Sequence, residues 1–143
     1  MWFQHDHDFA DRIPCLGEVH AMSTDVHFAE TNRLIHTLYR ENEETYNRWM
    51  AEHIAQAAAL GRKYHIPVGN TEGWGIIMWR EHPYLEWDFI KQAGLVSAKL
   101  AAEQGYAFIC SSNFCQPQFT RLWADVAYHR QVTDLIRRGV PRY

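Results

Sequence analysis

The sequence contains little cysteine, and the cysteines that are present form no recognisable motif. Cys15, Cys110 and Cys115 are odd in number and include no CxxC pair. This argues against a disulfide framework and against a zinc site built on paired cysteines. Reduced thiols of this kind are typical of a cytoplasmic protein.

Runs of basic residues and long apolar segments are also missing. The net charge is −3 with neutral histidines, and Lys and Arg are dispersed, which argues against binding to nucleic acid or to an anionic membrane. No apolar run approaches the roughly 18 residues of a membrane span. The first residues, MWFQHDHDFADR, lack a basic region followed by an apolar stretch. They do not indicate a signal peptide, and we expect a cytoplasmic location unless a longer parent protein carries such a signal.

The composition that remains is that of a globular domain. The 143 residues are 47% hydrophobic and 22% charged, with no low-complexity tract, so we expect a single domain over residues 1–143. Aromatic residues make up 14% of the chain and include six Trp. They fit either a well-packed core or a carbohydrate site in which ring faces stack on sugars. Composition leaves both readings open.

Short strand-like segments alternate with longer helical patterns along the chain. Apolar residues at spacings of three and four predict helices over 43–64, 86–105 and 122–139, and Gly105 is typical of a helix end. Strands are expected over 13–23, 65–75 and 106–114. Residues 24–34 are interpreted as a connecting loop with a helical turn, capped by residues such as Thr24 and Asp25. This order predicts an α/β fold with a parallel sheet.

Polar and aromatic residues follow the predicted strands at their carboxyl ends, where ligands bind in parallel α/β folds. They are His20 after the first strand, Glu72 and Trp74 after the second, and Asn113 and Phe114 after the third. Glu72 is the strongest candidate, because the glycine that follows it leaves room for a ligand to come close. Each residue also has a purely structural explanation, as a loop cap, a buried histidine, a loop-closing amide or a core aromatic.

The first residues of the chain suggest a different kind of site. His5 and His7 form an HxH pattern like that of amidohydrolase-type metal sites. Such a site needs further ligands at later strand ends, which His20 and Asn113 supply poorly. We therefore predict no metal and no cofactor, with a metal-dependent amidohydrolase as a minority alternative. GxGxxG, GxxxxGK(S/T) and GxSxG are absent, so nucleotide binding and a serine-hydrolase site have no support.

Three segments of the chain resemble the C-terminal part of the cellulase-like glycoside hydrolases, which are (β/α)8 barrels related to the family 5 cellulases. They are IPVGNTEGWG, YAFICSSNFCQPQFTRLW and DVAYHRQVTDLIR. The resemblance extends from about Ile13 to Arg138, and TEGWG and SNFCQPQF are its most distinctive pieces. It implies that the chain holds about three βα units of a TIM barrel, since a full barrel takes about 250 residues.

The resemblance also implies roles for the strand-end residues. Glu72 would be the carboxylate nucleophile. His20 lies where the family often has a histidine, although Met22 replaces the aromatic residue expected two positions later. Phe114 lies where relatives place an aromatic residue, more often Trp, beneath the sugar. The acid/base Glu of the family follows an Asn on strand four, and no Asn-Glu pair ends a strand here, so this second carboxylate is missing from the chain.

We therefore expect a protein that acts on or binds β-linked carbohydrate, with weak or no hydrolysis by this chain alone. His20 and Asn113 would orient Glu72 or bind sugar hydroxyls, and Trp74 and Phe114 would stack on the sugar ring. The non-catalytic alternative is a partial barrel that only binds carbohydrate, or one that forms a homo-oligomer to cover its open sheet edges.

Overall fold

The computed structural model describes residues 25–71, 79, 81–110 and 119–143. These residues form four helices and two short strands. In chain order they are α1 (Asp25–Tyr64), β1 (Gly69–Asn70), α2 (Asp88–Gln104), β2 (Phe108–Ile109), α3 (Thr120–Ala124) and α4 (Val126–Arg137). The predicted strand over 13–23 lies outside the described residues.

Helix α1 is much longer than the sequence pattern predicted. It runs without interruption for 40 residues, a length of about 60 Å at 1.5 Å per residue. The prediction of a connecting loop over 24–34 was therefore wrong for its described part, which is helical from Asp25 onward. The physical reason is burial: Phe28, Ile35 and Leu38 all lie in the core, and their spacing continues the apolar face of the helix.

Helix α2 matches its prediction closely. It ends at Gln104, and Gly105 adopts the left-handed conformation with φ 82°, donating its backbone N–H to the carbonyl oxygens of Ala101 and Ala102. Glycine tolerates this conformation because it has no Cβ. The buried Ser97 satisfies its hydroxyl inside the same helix by donating to the Ala93 carbonyl oxygen at 2.5 Å.

The last predicted helix is divided in two. The chain forms the five-residue α3, breaks at Asp125 and continues as α4. The Asp125 side chain accepts a hydrogen bond from the Tyr128 backbone N–H at 3.0 Å, which makes it the N-cap of α4. Tyr128 and Val132 are the buried residues of α4.

The two strands pair in parallel, with Gly69 opposite Phe108 and Asn70 opposite Ile109. Helix α2 connects them, so β1, α2 and β2 form one βαβ unit, as the sequence order predicted. Helix α2 also packs against both α1 and α4. None of the helices in the described ranges is both long enough and apolar enough to cross a membrane.

The core consists of two clusters that follow α1 along its length. The first joins the N-terminal half of α1 to residues 79–90 and to α4, and includes Phe28, Ile35, Tyr39, Trp79, Trp87 and Phe89. The second joins the C-terminal half of α1 to α2 and the strands, and includes Met50, Ile54, Ala101 and Tyr106, with Val68 and Ile109 packed against it. The helices therefore cover the face of the strands to which Val68 and Ile109 belong.

Candidate functional site

The carboxyl ends of β1 and β2 meet at one edge of the sheet. The parallel register places Asn70 beside Ile109, and the backbone N–H of Cys110 donates to the Asn70 carbonyl oxygen at 3.0 Å. Beyond this bond the chain continues from Thr71 into Glu72, and from Cys110 into Ser111. This edge is where ligands bind in parallel α/β folds, so we take it as the candidate site.

Asn70 fixes the two strand ends to each other. Its side-chain amide donates to the Cys110 carbonyl oxygen at 2.5 Å, while its own carbonyl oxygen accepts from the Cys110 N–H. The other side-chain oxygen, Oδ1, is buried and accepts no hydrogen bond within the described residues. Asn70 therefore sets the spacing of the two chains where they enter the candidate site. Sequence analysis did not single it out, although an Asn directly before Glu72 was visible.

Gly69 allows the two strands to approach closely. A Cβ at this position would lie 2.5 Å from the Phe108 carbonyl oxygen and 2.6 Å from two carbons of the Phe108 ring. The ring therefore covers the position that a side chain of residue 69 would occupy. Phe108 points to the face of the strands opposite Ile109 and is 50% exposed, so this face carries an accessible aromatic side chain below the strand ends.

The N-terminal half of α1 forms a wall with the segment that follows the first strand end. We call residues 81–87 the return loop, because this segment leads the chain back from the site to α2. The Glu86 backbone N–H donates to Asn32 Oδ1 at 2.9 Å, and the Phe28 and His82 rings stack with centroids 4.0 Å apart. Trp79 donates from Nε1 to the Glu86 carbonyl oxygen at 3.0 Å. These contacts hold the return loop against α1.

The wall also contains a buried tyrosine. Tyr39 packs against Tyr46 and Phe89, and burial together with the nearby Glu43 carboxylate raises the pKa of Tyr39 to about 12. The phenol therefore stays neutral throughout the physiological range. It lines a groove of about 660 Å³ between α1 and the start of α2, together with His36, Arg40, Glu43 and Glu86. This groove lies beside the wall rather than at the strand ends.

Arg121, the second residue of α3, binds the return loop from the other side. Its guanidinium pairs with the Glu81 carboxylate and donates to the His82 carbonyl oxygen. It also donates to the Leu85 carbonyl oxygen at 2.8 Å. No sequence signal pointed to this residue, because its partners are 36 to 40 positions away along the chain.

Lys91 and Asp125 connect α2 to the start of α4. Lys91 Nζ lies 2.8 Å from Asp125 Oδ2. The hydrogen bond from Lys91, with the Tyr128 backbone N–H, holds the pKa of Asp125 below its ordinary value. This pair supports the helices under the site and is remote in role from any chemistry at the strand ends.

The five residues that sequence analysis proposed for the site lie outside the described residues. They are His20, Glu72, Trp74, Asn113 and Phe114. Of the positions that border them, the structure brings Thr71 and Cys110 to the same edge through the strand pairing. His5 and His7 also lie outside, and the part of the chain that the structure describes contains no group of three or more His, Cys, Asp or Glu that could hold a metal.

Comparison with known proteins gives two matches. Residues 1–137 match the model of a family described as sugar-binding cellulase-like. Among solved structures, the chain is similar to a protein from Parabacteroides distasonis that is assigned as a glycoside hydrolase, with 28% sequence identity and a TM-score of 0.71. That match covers 82% of this chain and 31% of the other, so the chain spans about a third of its length. No curated protein matches the chain.

Both matches agree with the family resemblance of the sequence motifs. The family match extends over nearly the whole chain, and the structural match has the same glycoside hydrolase assignment. The predicted resemblance to cellulase-like glycoside hydrolases is therefore confirmed.

Proposed function

Because the chain belongs to the sugar-binding cellulase-like family, we propose that it binds β-linked carbohydrate at the carboxyl ends of β1 and β2. One structural observation supports this location above the others. The parallel pairing of the strands brings Thr71 and Cys110 to one edge, and the candidate residues follow directly in the chain, Glu72 after Thr71 and Asn113 with Phe114 shortly after Cys110.

The proposed architecture is a partial TIM barrel that comprises a single domain over residues 1–143. A barrel repeats strand and helix eight times with all strands parallel, and the β1–α2–β2 unit has this connectivity. The share of the Parabacteroides distasonis protein that the chain covers, 31%, agrees with about three of eight βα units. Phe108 is half exposed on the helix-free face of the strands, which is the face that turns inward in a barrel.

In this proposal Glu72 is the carboxylate that attacks the anomeric carbon. His20 and Asn113 orient that carboxylate or bind sugar hydroxyls, and Trp74 and Phe114 stack on the sugar ring. Retaining glycosidases need a second carboxylate about 5–5.5 Å from the nucleophile to act as acid and base. Glu18 is the candidate within the chain, and the family instead uses a Glu from an earlier barrel strand. We therefore expect this chain alone to bind carbohydrate and to hydrolyse it weakly or not at all.

The non-catalytic alternative is a carbohydrate-binding partial barrel, or one that assembles with a second copy. The observation that favours it is the helix-free strand face, which leaves an aromatic side chain accessible. The metal-dependent alternative would need His5 and His7 to find further ligands, and metal analysis of the purified protein tests it directly.

The proposal is tested by measuring sugar binding, hydrolysis of aryl β-glycosides and solution mass on the same samples. The variants are Glu72→Gln, which keeps the shape of the side chain, and Glu72→Ala, with Glu52→Gln on the exposed side of α1 as the matched control. We expect the wild-type chain and Glu52→Gln to bind a β-linked oligosaccharide equally. Any hydrolysis should fall at least roughly 10²-fold in both Glu72 variants.

Each result has a defined meaning. Hydrolysis that disappears without Glu72 would require a second carboxylate in this chain, with Glu18 as the next target, or one supplied by assembly. Hydrolysis that survives in Glu72→Ala would contradict the assignment of the nucleophile. A chain that binds no carbohydrate and remains a monomer would contradict both the hydrolase proposal and its non-catalytic alternative.

A further inference from the structure

Arg121 makes an unusually complete set of contacts with the return loop. Its guanidinium engages the Glu81 carboxylate and the carbonyl oxygens of His82 and Leu85. The Arg121 backbone N–H also donates to Glu81 Oε2 at 3.3 Å. One side chain therefore binds three groups of the loop, and the loop side chain of Glu81 in turn caps the backbone of α3.

These contacts join two connections that leave the same sheet edge. The return loop belongs to the connection that follows β1, and α3 belongs to the connection that follows β2. At their beginnings the two connections are tied by Asn70 and Cys110. Where they return toward the helices they are tied by Arg121, and also by the packing of Trp87 on Phe119, whose ring centroids lie 4.9 Å apart.

We propose that Arg121 is a positioning residue that holds these two connections together as one unit. Each candidate segment of the site lies between a tie at the strand ends and a tie at the return. If Arg121 is lost, the strand ends remain paired but the return loop and α3 can separate. The consequence for carbohydrate rests on the proposed function: a sugar held between residues of both connections is bound less tightly once their relative position varies.

The chemistry of the contact requires arginine. A guanidinium presents five N–H donors in a rigid planar fork, so it can reach a carboxylate and two carbonyl oxygens at once. A lysine offers a single charged group on a flexible stem and cannot span the three acceptors in one geometry. The side chain of Arg121 is 42% exposed and that of Glu81 is 25% exposed. Its loss should therefore loosen the loop locally rather than unfold the core.

The first experiment needs no sugar. Hydrogen exchange is measured on the full chain for Arg121→Ala, Arg121→Lys and Glu81→Gln, in peptides from residues 81–87 and 119–125. The matched control is Arg33→Ala, which breaks an exposed Arg–Glu pair within α1, where Arg33 Nη2 lies 2.5 Å from Glu30 Oε1. We expect exchange to become roughly 10-fold faster in both regions for Arg121→Ala, the size of effect of a lost charge-assisted hydrogen bond.

Arg121→Lys should restore little of the lost protection, and Arg33→Ala should leave both regions unchanged. Faster exchange in only one region, or equal acceleration throughout α1 and α2, would overturn the proposal, because the first shows no coupling and the second shows general unfolding. Unchanged exchange in Arg121→Ala would overturn it too.

The second experiment measures affinity for the oligosaccharide used above. If the wild-type chain binds it, Arg121→Ala should weaken the Kd roughly 10-fold while the Tm stays close to that of Arg33→Ala. Loosened loops with unchanged affinity would show that Arg121 is structural only, which overturns its positioning role. If the wild-type chain binds no sugar, the proposed function fails and the positioning of sugar fails with it, whereas hydrogen exchange still decides whether Arg121 couples the two connections.

Discussion

Gly69 shows how a single small residue sets the geometry of the sheet edge. The Phe108 ring and its carbonyl oxygen both occupy the space where a side chain of residue 69 would begin. A ring can rotate away, but the carbonyl oxygen belongs to the paired strand and cannot move without breaking the register. The close approach of the two main chains therefore depends on glycine at this position.

Replacing Gly69 by alanine should destabilise the protein by about 1–3 kcal/mol, the range for forcing extra atoms into a packed site. Urea unfolding followed by circular dichroism measures this loss. The double variant Gly69→Ala with Phe108→Ala removes the ring but keeps the carbonyl contact, so it should recover only part of the stability lost. Full recovery would show that the ring alone excludes the alanine, and an unchanged free energy of unfolding in the single variant would contradict the close approach.

Contacts at the residue scale separate what the sequence can predict from what it cannot. Gly105 was predicted at a helix end, because a local rule connects glycine with the left-handed conformation. The contacts of Arg121 obey no local rule, since its partners lie in a different connection and become neighbours only after folding. Five site residues were proposed from strand-end polarity and resemblance, and they remain predictions because they lie outside the described residues.

At the scale of elements, the helices that pack on the sheet were predicted well and the start of α1 was not. Helix α2 follows its apolar pattern from its first turn to its glycine cap. Residues 24–34 contain polar residues that favour caps and turns, and this local preference suggested a loop. Burial of Phe28 and Ile35 against distant residues decides the outcome instead, which is a tertiary effect that overrides propensity.

The start of α4 gives an element-scale prediction about pH. The pKa of Asp125 is lowered in the folded state by Lys91 and by the Tyr128 N–H, so the stabilising contribution is present above the ordinary pKa and is lost as pH falls through the folded value. Asp125→Asn keeps the capping oxygen but not the charge. Its Tm should therefore lie below that of the wild type at pH 7, with the difference shrinking as the pH falls below about 4.

Two companion variants separate the cap from the charge. Asp125→Ala removes both and should melt at a lower temperature than Asp125→Asn at pH 7. Lys91→Met removes the partner charge and should reduce the pH dependence while leaving the cap in place. A constant gap between wild type and Asp125→Asn from pH 7 to pH 3 would contradict a role for the charge.

At the scale of the whole molecule, the main feature is a sheet covered on one side only within the described residues. Val68 and Ile109 pack against the helices, whereas Phe108 on the opposite face is 50% exposed. Parallel sheets are normally covered on both faces. The parallel pairing and its helical crossover were predicted from the order of elements, but the number of strands beside them cannot be read from two short segments.

We expect this face to drive self-association of the chain at rising concentration, since exposed strand edges and apolar patches favour pairing. Phe108→Ser should lower the weight-average mass measured by light scattering, whereas Val140→Ser should not. Val140 is also exposed, at 67%, but it lies in the C-terminal segment after α4. A wild-type chain that stays monomeric at every concentration would contradict this expectation.

The turn at the tip of the return loop gives the fold a place where it can lengthen. Pro83 and Tyr84 are exposed and lie between the two carbonyl oxygens that Arg121 binds, those of His82 and Leu85. Because loop entropy rises slowly, by only about 0.6 kcal/mol for each doubling of length, residues added at this tip would cost little. Relatives could thus diversify what they recognise by insertion here, while the frame beneath, from Asn70 to Arg121, stays as it is.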